Sequence, residues 1–143
     1  MSLEHGLYSI KAKHNAYSVG RYIVEDRSLL PKRVLGLSED AIGGRPPVWE
    51  IEKTDDDKYI MKALGSPVGI LHGKLFAFLI DMDEQQPTHW VLKAHTQHGE
   101  DVYSIENASG EGWTVTDEED SQIEISPVDG APTQLFEVKS VTD

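Results

Sequence analysis

Val48-Trp49-Glu50-Ile51 and, beyond the acidic turn Asp55-Asp56-Asp57, Tyr59-Ile60-Met61-Lys62-Ala63 form the stretch on which the fold turns. Trp49 and Ile51, then Tyr59, Met61 and Ala63, fall at every second residue, the period of strands with one buried face. The same pair of strand types returns along the chain. Trp90-Val91-Leu92 and Phe136-Glu137-Val138 repeat the aromatic-led strand, 41 and then 46 residues further on. Tyr8-Ser9-Ile10-Lys11-Ala12 and Tyr103-Ser104-Ile105-Glu106-Asn107 repeat the tyrosine-led one. A tyrosine strand follows Trp49 after 10 residues and Trp90 after 13, whereas the partner for Phe136 is Tyr8, near the opposite terminus. Three units of roughly 45 residues, offset so that the termini meet, predict a pseudo-threefold closed structure. The expected fold is all-β, a β-trefoil of twelve strands in one domain over residues 1–143.

Working outward, the apolar runs on either side of residues 48–63 complete the set of strands. They are Leu7–Ala12, Tyr17–Val24, Arg33–Leu37, Val68–Leu71, Leu75–Ile80, His89–Ala94, Val102–Glu106, Trp113–Val115, Gln122–Ile125 and Leu135–Val138. Gly, Pro or Asn punctuates most of the gaps, and Ala41-Ile42-Gly43-Gly44-Arg45-Pro46-Pro47 reads as a loop, since paired glycines and prolines suit neither helix nor ladder. No window carries a helical period.

Composition narrows the chemistry. A chain of 143 residues is long enough to bury roughly 70% of the surface it exposes when unfolded, so a core forms without staples. Cysteine is absent, which removes disulfides, thiolate catalysis and cysteine-based zinc sites. That absence, with an N-terminus lacking the basic and apolar regions of a signal peptide, leads us to expect a cytoplasmic protein. The net charge is −12, from 13 Lys and Arg against 25 Asp and Glu. Such a field repels phosphate backbones and anionic membranes and steers basic partners.

Against this scaffold one further stretch stands out, Val24-Glu25-Asp26-Arg27-Ser28-Leu29-Leu30-Pro31. It leaves a strand, passes a basic residue and stops at a proline. By the strand count it is the connection between the second and third strands. Held extended, it suits the cleft of a serine protease that cuts after Arg or Lys. Such an enzyme carries an aspartate at the base of its specificity pocket, and a guanidinium that reaches it makes a desolvated, charge-assisted pair. Pro31 fixes its own φ and biases Leu30 toward extended backbone. Leu29 and Leu30 either pack beneath the loop or face the enzyme. Glu25 and Asp26 put carboxylates where these proteases commonly prefer neutral groups. Competing basic residues are Lys32 and Arg33, which enter the next strand, Arg45, which precedes Pro46, and Lys74.

The start Ser2-Leu3-Glu4-His5-Gly6-Leu7-Tyr8, the repeat spacing, the length and the missing cysteines resemble the fungal β-trefoil protease inhibitors of mushroom fruiting bodies, in particular the serine-protease-inhibiting type. His5 departs from the aspartate usual in that opening, which those proteins share with the related mycocypins. The resemblance implies a defence protein that inhibits a trypsin-like serine protease, acts as a monomer and carries no cofactor. It implies that Arg27 is the reactive residue, with Ser28 on the leaving side of the scissile bond and Glu25, Asp26, Leu29 and Leu30 flanking them. In mycocypins two other loops block papain-like cysteine proteases; their counterparts here are residues 13–16 and 42–47.

Other constellations carry less. The six histidines are scattered; His95 and His98 are close but specify no third ligand, so no metal site is expected. Asp55-Asp56-Asp57 and Glu118-Glu119-Asp120 lack calcium-loop spacing and read as acidic turns. No nucleophile elbow, phosphate loop or dinucleotide fingerprint occurs, so no enzyme is expected. A sugar-binding lectin is the remaining alternative for a trefoil. However, only Gln134-Leu135-Phe136 approaches the Gln-x-Trp pattern of ricin-type lectins, and Trp49 and Trp90 sit at core positions of their strands.

Overall fold

Tyrosine-led and aromatic-led strands recur at matching spacing because they lie side by side. In the computed structural model, which describes residues 3–22, 25, 28–79 and 88–141, Tyr8 pairs with Trp49, Tyr59 with Trp90 and Tyr103 with Phe136. The described residues form thirteen strands: β1 (Gly6–Ala12), β2 (Ser18–Arg21), β3 (Lys32–Leu37), β4 (Trp49–Lys53), β5 (Tyr59–Ala63), β6 (Ser66–Leu71), β7 (Lys74–Ala77), β8 (Val91–Ala94), β9 (Val102–Glu106), β10 (Glu111–Thr114), β11 (Ser121–Gln122), β12 (Glu124–Pro127) and β13 (Phe136–Ser140).

β1 pairs with β4, β4 with β5, β8 with β9, β9 with β13 and β13 with β1. The Tyr59–Trp90 bridge joins β5 to the start of β8 and closes the ring into a barrel. Closure leaves these strands no exposed edge. The hairpins β2–β3, β6–β7 and β10–β12 are linked to one another through β3–β7, β12–β7 and β11–β3. The architecture is all-β and β-trefoil-like.

Thirteen strands replace the expected twelve because the run 122–125 divides at Ile123. Its N–H donates to the Val34 carbonyl at 2.8 Å and its own carbonyl accepts from Leu75 N–H at 3.0 Å. The chain therefore changes partners at that residue, β11 lying on β3 and β12 on β10 and β7. Two further strands are shorter than their apolar runs. β2 begins after Tyr17, whose N–H turns to the Asn15 side chain, and ends at Arg21; β7 stops at Ala77. Ile23, Val24 and Ile80 lie outside the described residues.

The connection from β3 to β4 also holds a helical turn that the sequence reading missed, α1 (Glu39–Ile42). Ser38 caps it by accepting from Ala41 N–H, and Gly43 ends it at φ 60°, a conformation glycine adopts without penalty. One turn is too short to show a period. Ile42 buries against Leu35 and Leu37.

In the core, Trp113 of β10 touches each member of the aromatic triplet, with ring centroids 5.4 Å from Trp49, 5.5 Å from Trp90 and 6.2 Å from Phe136. All four are fully buried. Trp49 Nε1 donates to the Val19 carbonyl at 2.7 Å and Trp90 Nε1 to that of Val68 at 3.2 Å, tying barrel strands to the first strands of two hairpins. The third hairpin carries Trp113 instead, and its barrel partner is Phe136, which has no donor. There the indole stands on the hairpin and the smaller phenyl ring on the barrel strand, both fully buried, so the core stays filled while the threefold symmetry is broken.

Candidate functional site

The connection from β2 to β3 is anchored at both ends by side chains of the strands it joins. Arg21, the last residue of β2, is held in ladder register opposite Val34. Its guanidinium grips the Glu25 carboxylate with two bonds, Nε to Oε2 at 3.1 Å and Nη2 to Oε1 at 2.6 Å. Nη1 donates to the Ala63 carbonyl at the end of β5, at 3.0 Å. The Arg21 side chain is 8% exposed and that of Glu25 18%. A bidentate, largely desolvated pair of this kind is strong and directional. It accounts for one of the two carboxylates that precede Arg27: Glu25 is turned inward and neutralised.

The second anchor ties the start of β3 to a residue four positions earlier. Lys32, first residue of β3, is only 6% exposed, and its ammonium donates to Ser28 Oγ at 3.3 Å. The same oxygen accepts from Leu30 N–H at 3.3 Å, a serine turn that fixes the backbone after the candidate bond. Leu29 and Leu30 do not pack beneath the loop. They are 64% and 68% exposed, an apolar pair facing solvent. Asp26 and Arg27 themselves lie outside the described residues. Of the expected site residues, then, the structure places Glu25 and Ser28 in braced positions and Leu29 and Leu30 on the surface. The bracing residues Arg21 and Lys32 were not expected, although each stands four residues from its partner, a spacing legible in the sequence.

The alternative loops are also held by defined contacts, the first of them with a segment distant in sequence. Asn15 Nδ2 donates to the Thr116 carbonyl at 3.0 Å, His14 Nε2 lies 2.6 Å from Asp117 Oδ1, and Ala16 sits at φ 63°. In the other loop Gly44 sits at φ 81°, and the Pro47 ring packs so closely on Gly20 that a Cβ there would stand 2.5 Å from it. Trp49 and Trp90 are wholly interior, with no face available to a sugar.

A serine, a histidine and a glutamate meet along β9, but in an order unsuited to nucleophilic catalysis. Ser104 Oγ donates to Glu106 Oε2 at 2.7 Å and lies 2.9 Å from His95 Nε2, while Lys93 Nζ holds the other carboxylate oxygen at 3.1 Å. The hydroxyl proton is directed at the carboxylate and not at the imidazole, and Ser104 is buried. A serine nucleophile needs the histidine as its proton acceptor. Among the described residues no group of three His, Asp or Glu side chains is arranged to hold a metal ion.

The family model for Peptidase inhibitor I66 matches residues 1–140. A serine protease inhibitor from Lentinula edodes is 37% identical over 123 residues, covering 85% of this chain and 81% of its own. The structure of a proteinase inhibitor from Coprinopsis cinerea superposes with a TM-score of 0.88 at 40% identity, over 98% of this chain and 100% of that one. At 10% identity, a ricin B-like lectin from Macrolepiota procera, solved with lactose, gives a TM-score of 0.71 over 98% of this chain and 99% of its own, a likeness of fold alone. The two relatives of higher identity are named as inhibitors of proteases and not as enzymes.

Proposed function

Because the chain belongs to the Peptidase inhibitor I66 family, we propose that it inhibits trypsin-like serine proteases by presenting Arg27 to the specificity pocket from the β2–β3 loop. The observation that carries this reading is the pair of anchors on either side of residues 26–27, Arg21 with Glu25 and Lys32 with Ser28. A loop held in place before binding avoids most of the ordering cost that a free peptide bears. Within the enzyme, the Arg27 guanidinium pairs with the pocket aspartate and its carbonyl occupies the oxyanion hole. Leu29 and Leu30, already exposed, lie against the leaving-side surface. Lys32 does not compete for the pocket, since its side chain is buried in the loop's own support. The scaffold is one twelve-strand β-trefoil domain, the divided eleventh strand being β11 and β12, and it binds as a monomer. Its net charge of −12 steers it toward a basic enzyme.

Titration of trypsin with the wild-type protein and with Arg27→Asn tests the assignment. Inhibition by the wild type and its loss in the variant is the expected result; equal inhibition by both overturns the site. Papain serves as the control for loops 13–16 and 42–47, and is expected to remain active.

A further inference from the structure

We infer that Arg21 is the positioning residue of the β2–β3 loop and that, with Lys32, it decides whether a bound protease is held or digests the loop. The inference rests on the reading of Arg27–Ser28 as the bond offered to the enzyme. The two braces fall on opposite sides of that bond. On the acyl side, Glu25 is fixed to Arg21, and Arg21 in turn to the carbonyl of Ala63 in the neighbouring repeat. On the leaving side, Ser28 is fixed to Lys32 at the start of β3. Neither tether passes through the peptide bond between residues 27 and 28.

The consequence follows from the chemistry of acyl transfer. The protease serine attacks the Arg27 carbonyl, the peptide bond breaks, and the Ser28 amine leaves with the proton relayed from that serine. From the acyl-enzyme two outcomes compete. The Ser28 amine attacks the ester, the peptide bond re-forms and the proton returns to the enzyme serine; or water attacks and leaves a carboxylate on Arg27. In a flexible substrate the amine diffuses away and water wins. Here the two segments stay attached to β2 and β3, strands paired through four residue pairs, so the amine remains at high effective concentration beside the ester. Resealing then outruns hydrolysis. Arg21 suits the task better than lysine, because its fork grips the carboxylate in one orientation while its third nitrogen holds Ala63.

The experiment compares wild type, Arg27→Asn, Glu25→Ala, Arg21→Lys and the Glu25→Ala/Arg21→Lys double variant against trypsin. It measures the inhibition constant and, by mass spectrometry at equimolar enzyme, the rate of cleavage after Arg27, with circular dichroism confirming that each variant is folded at the assay temperature. Glu25→Ala and Arg21→Lys are expected to be cleaved roughly tenfold faster or more, with weaker inhibition, and the double variant to behave like either single one, as coupled partners do. A merely structural role would lower the melting temperature without raising the turnover number for cleavage. Should either single variant fail to fold, Glu25→Gln, which keeps the side-chain shape and removes the charge, replaces it. Folded variants cleaved within twofold of the wild-type rate overturn the inference. If Arg27→Asn abolishes inhibition while those variants match wild type, the brace alone is wrong; if Arg27→Asn inhibits fully, the reactive bond itself is misassigned.

Discussion

Replacing Trp49 and Trp113 in turn by phenylalanine separates the hydrogen bond from the packing in this core. Both indoles are fully buried and in contact with each other at 5.4 Å between centroids. Either substitution removes the same atoms from the same interior, so the cavity terms nearly cancel in the difference. The polar terms do not. Trp49 Nε1 donates to Val19 at 2.7 Å, whereas Trp113 Nε1 is buried without a hydrogen-bond partner among the described residues. Losing the first bond costs about 1 kcal/mol net, and deleting an unpaired buried donor returns about 2 kcal/mol of desolvation. Trp49→Phe is therefore expected to be the more damaging by about 3 kcal/mol. For a domain of this size that corresponds to about 9 °C in Tm. Urea titration followed by circular dichroism, with calorimetry as a check on two-state behaviour, gives both quantities. A difference below about 1 kcal/mol, or a larger loss for Trp113→Phe, refutes the reasoning.

Burial pushes the phenols of Tyr8 and Tyr103 above the ordinary tyrosine value, and the charges of Glu4 and Asp101 respectively push the same way, while a bond to the Glu4 carbonyl partly offsets the shift at Tyr8. The folded state therefore keeps protons that the unfolded chain releases; stability should hold steady up to pH ~10 and fall as pH rises through the folded-state values. Urea midpoints across that range should show the decline, and Tyr8→Phe with Tyr103→Phe should flatten it. Leu29→Ser should change stability by less than about 0.5 kcal/mol, since the side chain is 64% exposed. If the leucine is buried against trypsin, the inhibition constant should nevertheless rise by about tenfold, the effect of about 1.5 kcal/mol of lost apolar burial. An unchanged constant would place Leu29 outside the interface.

The repeat was legible in the sequence because it reflects direct pairing. Tyr8, Tyr59 and Tyr103 recur in step with Trp49, Trp90 and Phe136 since each pair lies across one barrel seam. The break at Ile123 was not legible, for it depends on Val34 and Leu75, which adjoin it only in the folded chain. The α1 turn left a trace in Ser38 and Gly43, but a single turn offers nothing for a periodicity argument. The position of the β2–β3 loop followed from counting strands, and the role of Glu25 did not. Two residues before Arg27 a carboxylate reads as unfavourable, and its neutralisation depends on an arginine buried by strands and on a carbonyl from another repeat.

β1 touches both β4 and β13, with Tyr8 opposite Trp49 on one flank and Ser140 on the other. The two flanks become available at different moments of synthesis. By the time residues near 53 have left the ribosome, one side of β1 can be covered. The other must wait for Phe136–Ser140, so an unpaired strand edge persists through most of translation. Folding should accordingly finish late and slowly, as expected when contacts distant in sequence close the structure. Lys11 and Lys13, charged and exposed in and just after that strand, are placed where they discourage a second nascent chain from adding to the waiting edge.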